Sequence, residues 1–313
     1  MSVENTEFGI LGPVTMEQRA KIDALIRRPR PTVQPTAEEL RTGFAALMSR
    51  MIVPAGIRTE PATLGDRPAL RVEPVDAARP GTILFFHGGA FVAGSPETGL
   101  SLAASLVVKT GFTALSLDYR LAPKHPFPAG IEDAVDAYRE LLDRGVDPAT
   151  TAFAGDSAGG GISVTSCLMA RDAGLPLPAA IVTFSGGFDA THTGESMVTK
   201  VGIDPLFTPE ALANTGAMYR GTSNPAQPLL SPATLADLSG FPPLLLQVGT
   251  NEILLDDSTR LAARARAAGV DVILDVTADV PHVFQIFAGV LDEADQALDR
   301  AAFFLSQHVR AEG

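Results

Sequence analysis

"TAFAGDSAGGGISVTSCLMARDAG", residues 151–174, is the stretch that indicates the fold most strongly. Its first five residues predict a short buried strand, and residues 161–174 predict a helix. Ser157 lies at the turn between them, in the pattern Gly-x-Ser-x-Gly. A serine in such a sharp turn stands at a helix N-terminus, where partial positive charge favours a developing oxyanion. We therefore predict that Ser157 is a catalytic nucleophile.

Strand and helix patterns alternate on both sides of this stretch. Several of the predicted strands are apolar on both faces, as expected of a parallel sheet that is covered by helices on both sides. The alternation predicts a doubly wound α/β domain. The predicted strands lie at 69–74, 82–88, 112–119, 151–155, 179–186, 243–249 and 270–277, and further helical patterns lie at 129–145 and 258–269.

Two segments interrupt this alternation. The N-terminal segment contains two helical patterns before any strand, at 16–30 and 36–50, and the Gly-, Pro-, Thr- and Ser-rich stretch 187–241 arrives between two core strands. An insertion there would lie above the carboxyl ends of the strands, where α/β proteins bind ligands. We predict an N-terminal helical cap segment over 1–52 and a catalytic domain over 53–313, with 187–241 as a cap insertion.

Composition and charge exclude several classes of function. The 313-residue chain has a formal net charge of −12, which argues against nucleic-acid or anionic-membrane partners because both present repelling phosphates. No apolar stretch is long enough to span a bilayer, and the N-terminus lacks the pattern of a secretory signal. The single cysteine, Cys167, fits a reducing compartment, so a cytoplasmic location is expected.

The second catalytic pattern is "FFHGGAFVAGS", residues 85–95. Two glycines after a buried strand leave backbone N–H groups unhindered at the edge of a cleft. Together with the N–H of Ala158, Gly88 and Gly89 are predicted to form an oxyanion hole. His87 is expected to shape this loop and not to transfer protons.

A serine nucleophile requires a base, and five histidines compete for that role. In enzymes with this serine turn the chain order is serine, acid, histidine. His192 precedes every acid that follows the next core strand, and His308 is expected at the surface near the end of the last helix. His282, in the loop after the last strand, is therefore the predicted general base.

These motifs resemble those of the hormone-sensitive-lipase-like family of bacterial esterases. The resemblance covers roughly residues 65–305 and implies an α/β-hydrolase fold with a helical cap, hydrolysis of short-acyl carboxylic esters, and no metal or organic cofactor. It also implies that Asp118, Tyr119 and Arg120 brace the oxyanion loop and sheet edge, and that Asp156 supports the site. Dimers are common in the family, so a homodimer is possible. The resemblance is carried by "HGGAFVAGS", "DYRLAPKHPFPAGIEDA", "GDSAGGG", "FSGGFDAT" and "PHVF".

The acid of the triad is harder to assign, because Asn251 follows the strand that should carry it. Many family members have two aspartates four positions apart, and here Glu252 and Asp256 have that spacing. This register favours Glu252 as the acid, with Asp256 and then Asp257 as alternatives. The other register would place Asn251 there, and asparagine cannot stabilise the imidazolium.

The sequence therefore predicts a serine carboxylesterase acting on a small-molecule ester. Hydrolysis of a lactone, such as a terpenoid lactone, or removal of an acetyl group from a natural product would use the same chemistry. A non-catalytic small-molecule-binding protein on the same scaffold is the rival from another class, and such proteins lose the histidine that this chain retains. The candidates for lining an apolar pocket, or for packing the cap, are Phe44, Met197, Phe207 and Met218.

Overall fold

A computed structural model describes residues 13–27 and 34–310 of the chain. Its centre is a sheet of eight strands in the order β1-β2-β4-β3-β5-β6-β7-β8. β2 pairs antiparallel with β1 and with β4, and all other neighbours are parallel. The strands are β1 Ile57–Leu64, β2 Arg67–Pro74, β3 Thr82–Phe86, β4 Thr113–Leu117, β5 Thr151–Asp156, β6 Ala180–Phe184, β7 Leu244–Gly249 and β8 Val272–Thr277.

Helices cover both faces of this sheet. Alternation along β3 sends Ile83 and Phe85 into one apolar cluster and Leu84 and Phe86 into the other, so the sheet separates two cores. In the described part of the chain the helices are α1 Pro13–Ile26, α2 Ala37–Met48, α3 Leu100–Thr110, α4 Ala129–Asp143, α5 Ala158–Asp172, α6 Ser196–Thr199, α7 Pro209–Arg220, α8 Pro232–Leu235, α9 Leu255–Ala267 and α10 Asp292–His308.

The predicted α/β architecture is confirmed, and every predicted strand overlaps an observed one. Sequence reasoning missed β1 and α3, as well as the four-residue helices α6 and α8. β1 is a largely exposed edge strand that contains Pro61, so its sequence lacks the apolar alternation of a strand. α3 is buried nearly all round, so its apolar residues show no one-sided helical period.

Both N-terminal helical patterns correspond to helices. Thr36, the first residue of the pattern predicted over 36–50, caps α2: its hydroxyl accepts from the Glu39 N–H, while the Glu39 carboxylate accepts from the Thr36 N–H. The first helix ends at Ile26, and residues 28–30 of the pattern predicted over 16–30 lie outside the described residues. The same holds for residues 1–12 and 28–33 of the predicted cap segment.

Candidate active site

Ser157 lies in the turn between β5 and α5 with a backbone φ of 51° and ψ of −116°. This left-handed conformation is strained for a residue with a side chain, and the packing around the turn maintains it. A Cβ atom on Gly159 would collide with the carbonyl oxygen of Phe86, so the close passage of α5 past β3 requires glycine there. The turn leaves the Ser157 side chain at the start of α5, beside the carboxyl ends of the parallel strands.

The structure brings Ser157 and His282 together although they are 125 positions apart. The Nε2 atom of His282 lies 2.9 Å from Ser157 Oγ, and its Nδ1 atom lies 2.7 Å from Glu252 Oε2. With the proton on Nδ1, the imidazole donates to the carboxylate and leaves Nε2 free to accept from the serine hydroxyl. The three side chains therefore form one chain of hydrogen bonds.

The Glu252 carboxylate is fully buried and uses both oxygens. Besides the bond from His282 to Oε2, its Oε1 atom accepts from the Gly249 N–H at 2.7 Å and from the Ser185 hydroxyl at 2.8 Å. The Ser185 oxygen in turn accepts from the N–H of Val283 at 3.0 Å. Ser185 thus connects Glu252 to the loop that carries His282, a contact for which the sequence offered no signal.

The other candidates for the acid lie elsewhere. The Asn251 N–H donates to the carbonyl of Val280, and no hydrogen bond joins its side chain to His282. Asp256 accepts from the Ser196 N–H at 2.9 Å, and Asp257 accepts from two backbone N–H groups in the segment after β6. Both aspartates therefore tie α9 to the insertion that follows β6.

The pKa of His282 reflects opposing influences. Burial of the imidazole lowers the pKa, whereas the charge and hydrogen bond of Glu252 raise it, with smaller contributions from Asp204 and Asp156. The net result is a pKa above the ordinary value of 6.5. The site therefore favours the imidazolium that proton transfer from a serine would create.

The oxyanion loop differs from the sequence prediction at Gly88. Its N–H donates to Asp156 Oδ1 at 2.9 Å, and a Cβ atom there would collide with the same carboxylate. The prediction that Gly88 contributes an oxyanion donor is therefore contradicted, because this N–H is already engaged. Burial raises the pKa of Asp156 to about 7, although the Gly88 N–H and the charge of His282 act against that rise.

Gly89 and Ala90 occupy the position beside the serine that was predicted for Gly88 and Gly89. Both line a cavity that contains Ser157, and no acceptor for either N–H occurs among the described residues. Ala158 begins α5, so its N–H has no partner within the helix. Three free N–H groups thus surround Ser157, and their role as oxyanion donors stays a prediction for Gly89 and Ala158.

The loop is held by packing on its inner side. His87 is fully buried and stacked on Tyr119, with 4.3 Å between ring centroids, and burial lowers its pKa to about 4. The Tyr119 hydroxyl donates to the His87 carbonyl at 2.7 Å, so Tyr119 braces the loop as the resemblance implied. Asp118 and Arg120, for which the resemblance implied the same role, have other partners: Arg120 binds Asp133 on α4, and the Asp118 carbonyl accepts from Arg67.

Two cavities meet at Ser157. The small cavity, about 90 Å³, is bounded by Ala158, Leu212 and the stacked rings of Phe91 and Tyr219. The large cavity, about 320 Å³, lies between α2 and α7 and includes His282 in its lining. His282 does not line the small cavity, so the two cavities differ in whether the His282 side chain forms part of their wall.

Some of the predicted pocket residues line these spaces. Phe44 faces the large cavity, and Phe207 faces both. Met197 and Met218 line neither and belong to apolar clusters that join the cap insertion to neighbouring segments, so they pack the cap, the alternative that the sequence had left open. His192 lines the small cavity, and no hydrogen bond joins it to Ser157.

Two further observations concern the described residues only. Among residues 13–27 and 34–310, no group of three or more histidine, cysteine or acidic side chains is arranged to hold a metal ion. None of the helices over the same ranges combines the length and the apolar character needed to cross a bilayer.

Comparison with known proteins gives consistent matches. A family model described as the alpha/beta hydrolase fold matches residues 83–286. An acetyl-hydrolase from Streptomyces hygroscopicus is 41% identical over 224 residues, which cover 72% of this chain and 75% of that protein. An esterase from Acinetobacter venetianus is 36% identical, covering 75% of this chain and 78% of its own.

Solved structures match over nearly the whole chain. An esterase from the bacterial hormone-sensitive lipase family has a TM-score of 0.88 and 40% identity, covering 94% of this chain and 99% of its own. A hormone-sensitive lipase from a metagenome library has a TM-score of 0.89 and 38% identity, covering 93% and 98%. The shared fold therefore includes both the sheet and the segments above it.

Proposed function

Because this chain belongs to the α/β-hydrolase family, among the bacterial hormone-sensitive-lipase-like esterases, we propose that it hydrolyses short-acyl carboxylic esters through an acyl-enzyme on Ser157. Relatives named esterase and carboxylesterase, together with the shared fold, identify the chain as a carboxylic ester hydrolase. The observation that carries the serine mechanism is the chain of hydrogen bonds from Ser157 through His282 to Glu252.

The mechanism has two halves. As Ser157 Oγ attacks the ester carbonyl carbon, its proton passes to His282 Nε2, and the carbonyl oxygen becomes an oxyanion that the free N–H groups of the loop and of Ala158 stabilise. His282 then gives the proton to the alcohol oxygen, the C–O bond breaks, and the acyl group stays on Ser157. Water repeats the sequence, which releases the carboxylic acid and restores the serine.

Proton delivery determines where each half of the substrate binds. The alcohol oxygen must lie near His282 Nε2 to receive its proton, so the alcohol belongs in the large cavity, which His282 lines. The acyl chain then points into the small cavity of about 90 Å³. We therefore propose that α2 and the 187–241 insertion act as a cap that admits a bulky alcohol but only a short acyl chain.

Removal of acetyl groups is the second candidate, and the size of the small cavity favours it. Acetyl is among the smallest acyl groups, and relatives named acetyl-hydrolase cover about three quarters of this chain or more. Such a reaction is the same acyl transfer with acetyl as the acyl group, so both candidates use the same residues.

The test is hydrolysis of a p-nitrophenyl ester series by wild type and Ser157→Ala. We expect Ser157→Ala to reduce kcat by about 10⁴-fold or more, since loss of the nucleophile removes most of the acceleration. The matched control is Ser163→Ala, which removes a hydroxyl from the same helix, where it bonds only the Gly159 carbonyl. The proposal would be wrong if Ser157→Ala and Ser163→Ala had similar activity, or if no acyl group could be detected on Ser157 by mass spectrometry after rapid quenching.

A further inference from the structure

A buried carboxylate in the cap insertion accepts hydrogen bonds both from its own segment and from the loop after β7. Asp204 lies in the loop between α6 and α7 and is only 3% exposed. Its Oδ1 atom accepts from the N–H groups of Leu206 at 2.8 Å and Phe207 at 2.9 Å. Its Oδ2 atom accepts from the N–H of Ile253 at 2.9 Å. One side chain thus joins the cap insertion to the loop after β7.

Two of the three partners of this carboxylate adjoin Glu252 and His282. Ile253 directly follows Glu252, so the bond to Asp204 fixes the backbone on one side of the triad acid. Phe207 places its ring edge-on against the His282 imidazole, with 4.9 Å between centroids and 77° between planes. Asp204 therefore constrains the acid through the backbone and the base through an aromatic contact.

A turn-forming aspartate would need only two of these three bonds. The Oδ1 contacts to Leu206 and Phe207 are local and close the 204–207 turn by themselves. The Oδ2 contact reaches 49 positions along the chain to a buried N–H. That N–H has no other acceptor in residues 13–27 and 34–310 and would lose this one if the turn moved away, so docking of the turn and the position of the acid loop are linked.

We propose that Asp204 is a positioning residue, which holds Glu252 and His282 in their reactive geometry only while the 204–207 turn is docked on the acid loop. This inference rests on the proposed function, because it assigns Asp204 to the same acid–base pair. In this proposal the cap insertion both lines the cavities and helps to hold the acid and the base in position. Misplacement of a catalytic group by about 1 Å can cost about 10²-fold in rate.

The test compares Asp204→Asn with Asp256→Asn. Asparagine keeps one acceptor oxygen but presents an NH2 group to one of the two sets of N–H donors, so Asp204→Asn loses either the Ile253 bond or the turn bonds. Asp256 is the matched control because its carboxylate also accepts a cap N–H, from Ser196, and contacts neither Glu252 nor His282. The readouts are kcat, KM and the pH profile of kcat/KM on p-nitrophenyl acetate and butyrate.

We expect Asp204→Asn to lower kcat by about 10- to 100-fold with a smaller change in KM. The charges that face His282 are those of Glu252, Asp204 and Asp156. Removing one of them lowers the pKa of the imidazole, so the acid limb of the pH profile should move to lower pH by roughly 0.3 to 1 unit. Asp256→Asn should keep kcat within about 3-fold of wild type and leave the limb in place.

Equal kcat values and equal acid limbs for Asp204→Asn and Asp256→Asn would overturn the inference. So would an Asp204→Asn variant whose only change from wild type is a lower Tm. If Asp204→Asn does not fold, Asp204→Glu replaces it as the test variant. This substitution keeps the charge but displaces the carboxylate, so kcat should fall while the acid limb of the pH profile stays in place. An unchanged kcat in Asp204→Glu would overturn the inference. The proposed function fails separately, since it requires Ser157→Ala to be inactive whatever Asp204→Asn does.

Discussion

Glu252 has a more constrained environment than a triad acid that contacts its histidine alone. The extra methylene of glutamate, relative to aspartate, brings the carboxylate between His282 on one side and Gly249 and Ser185 on the other. Two donors to Oε1 leave Oε2 pointed at the imidazole, which selects the Nδ1–H tautomer. Asn251, one position earlier, bonds the backbone of the loop and takes no part in this arrangement.

Glu252→Gln should reduce kcat by about 10⁴-fold, because an amide NH2 facing Nδ1 favours the wrong tautomer and cannot stabilise the imidazolium. In wild type, kcat/KM should fall as the pH drops through the raised pKa of His282, with a midpoint above 6.5. Steady-state kinetics across a range of pH measures both the loss of kcat in Glu252→Gln and the pH midpoint of kcat/KM in wild type. Asn251→Asp is the matched control and should behave like wild type; full activity of Glu252→Gln would refute the assignment of the acid.

Helix α7 contacts both cavities. It begins at Pro209, after Thr208 caps it by accepting from the Ala211 N–H at 3.2 Å, and its successive turns pass over the active site. Thr215 lines both spaces, whereas Leu212 lines only the small one. This one helix therefore contributes side chains to the walls of both cavities beside Ser157.

Leu212→Ala should extend the acyl range of the enzyme. Shortening this side chain enlarges the small cavity, so the ratio of kcat/KM for p-nitrophenyl octanoate over acetate should rise by about 10-fold, since each buried methylene contributes about 0.8 kcal/mol. This ratio is independent of how much protein is folded. Leu206→Ala is the control because Leu206 lines the large cavity and not the small one. A ratio that rises equally in both variants would contradict the placement of the acyl chain.

The loop at residues 87–90 shows how much of this site a local sequence pattern can predict. "HGG" after a buried strand indicated the loop that lies beside Ser157, but the predicted pair included Gly88, whose N–H donates to Asp156. The engaged N–H of Gly88 depends on Asp156, which is 68 positions away, so only the folded chain shows which N–H groups are free. Ala90, one residue beyond the predicted pair, also has an N–H without an acceptor among the described residues, and nothing in the local pattern required it.

Buried carboxylates affect the stability of the whole molecule. Asp257 is 4% exposed and joins α9 to the segment after β6 through the N–H groups of Phe188 and Asp189. Burial raises its pKa to about 8, with the nearby charge of Asp189 adding to the rise and the two N–H groups opposing it. Because the folded pKa exceeds the unfolded one, this group's contribution to stability is complete at low pH and is lost as the pH rises toward 8.

Asp257→Asn should therefore flatten the dependence of stability on pH. The unfolding free energy of wild type minus that of Asp257→Asn should decrease from pH 5 to pH 8 by at most about 1.4 kcal/mol per pH unit, and the difference between their Tm values should decrease with it. Thermal unfolding at four pH values measures it. Asp271→Asn removes one exposed charge and is the control, whose Tm difference should stay constant. A constant difference for Asp257→Asn would refute the prediction.

The sequence by itself determined the α/β architecture, the strand–serine–helix turn and the order of the catalytic motifs, because these follow from periodicity and turn chemistry within short stretches. Only the tertiary structure decided which acidic side chain faces His282, which N–H groups stay free and which cap residues face the cavities. Each of these depends on contacts between distant segments, such as the 30 positions from Glu252 to His282. Side-chain direction at such contacts is set by packing, which no local pattern encodes.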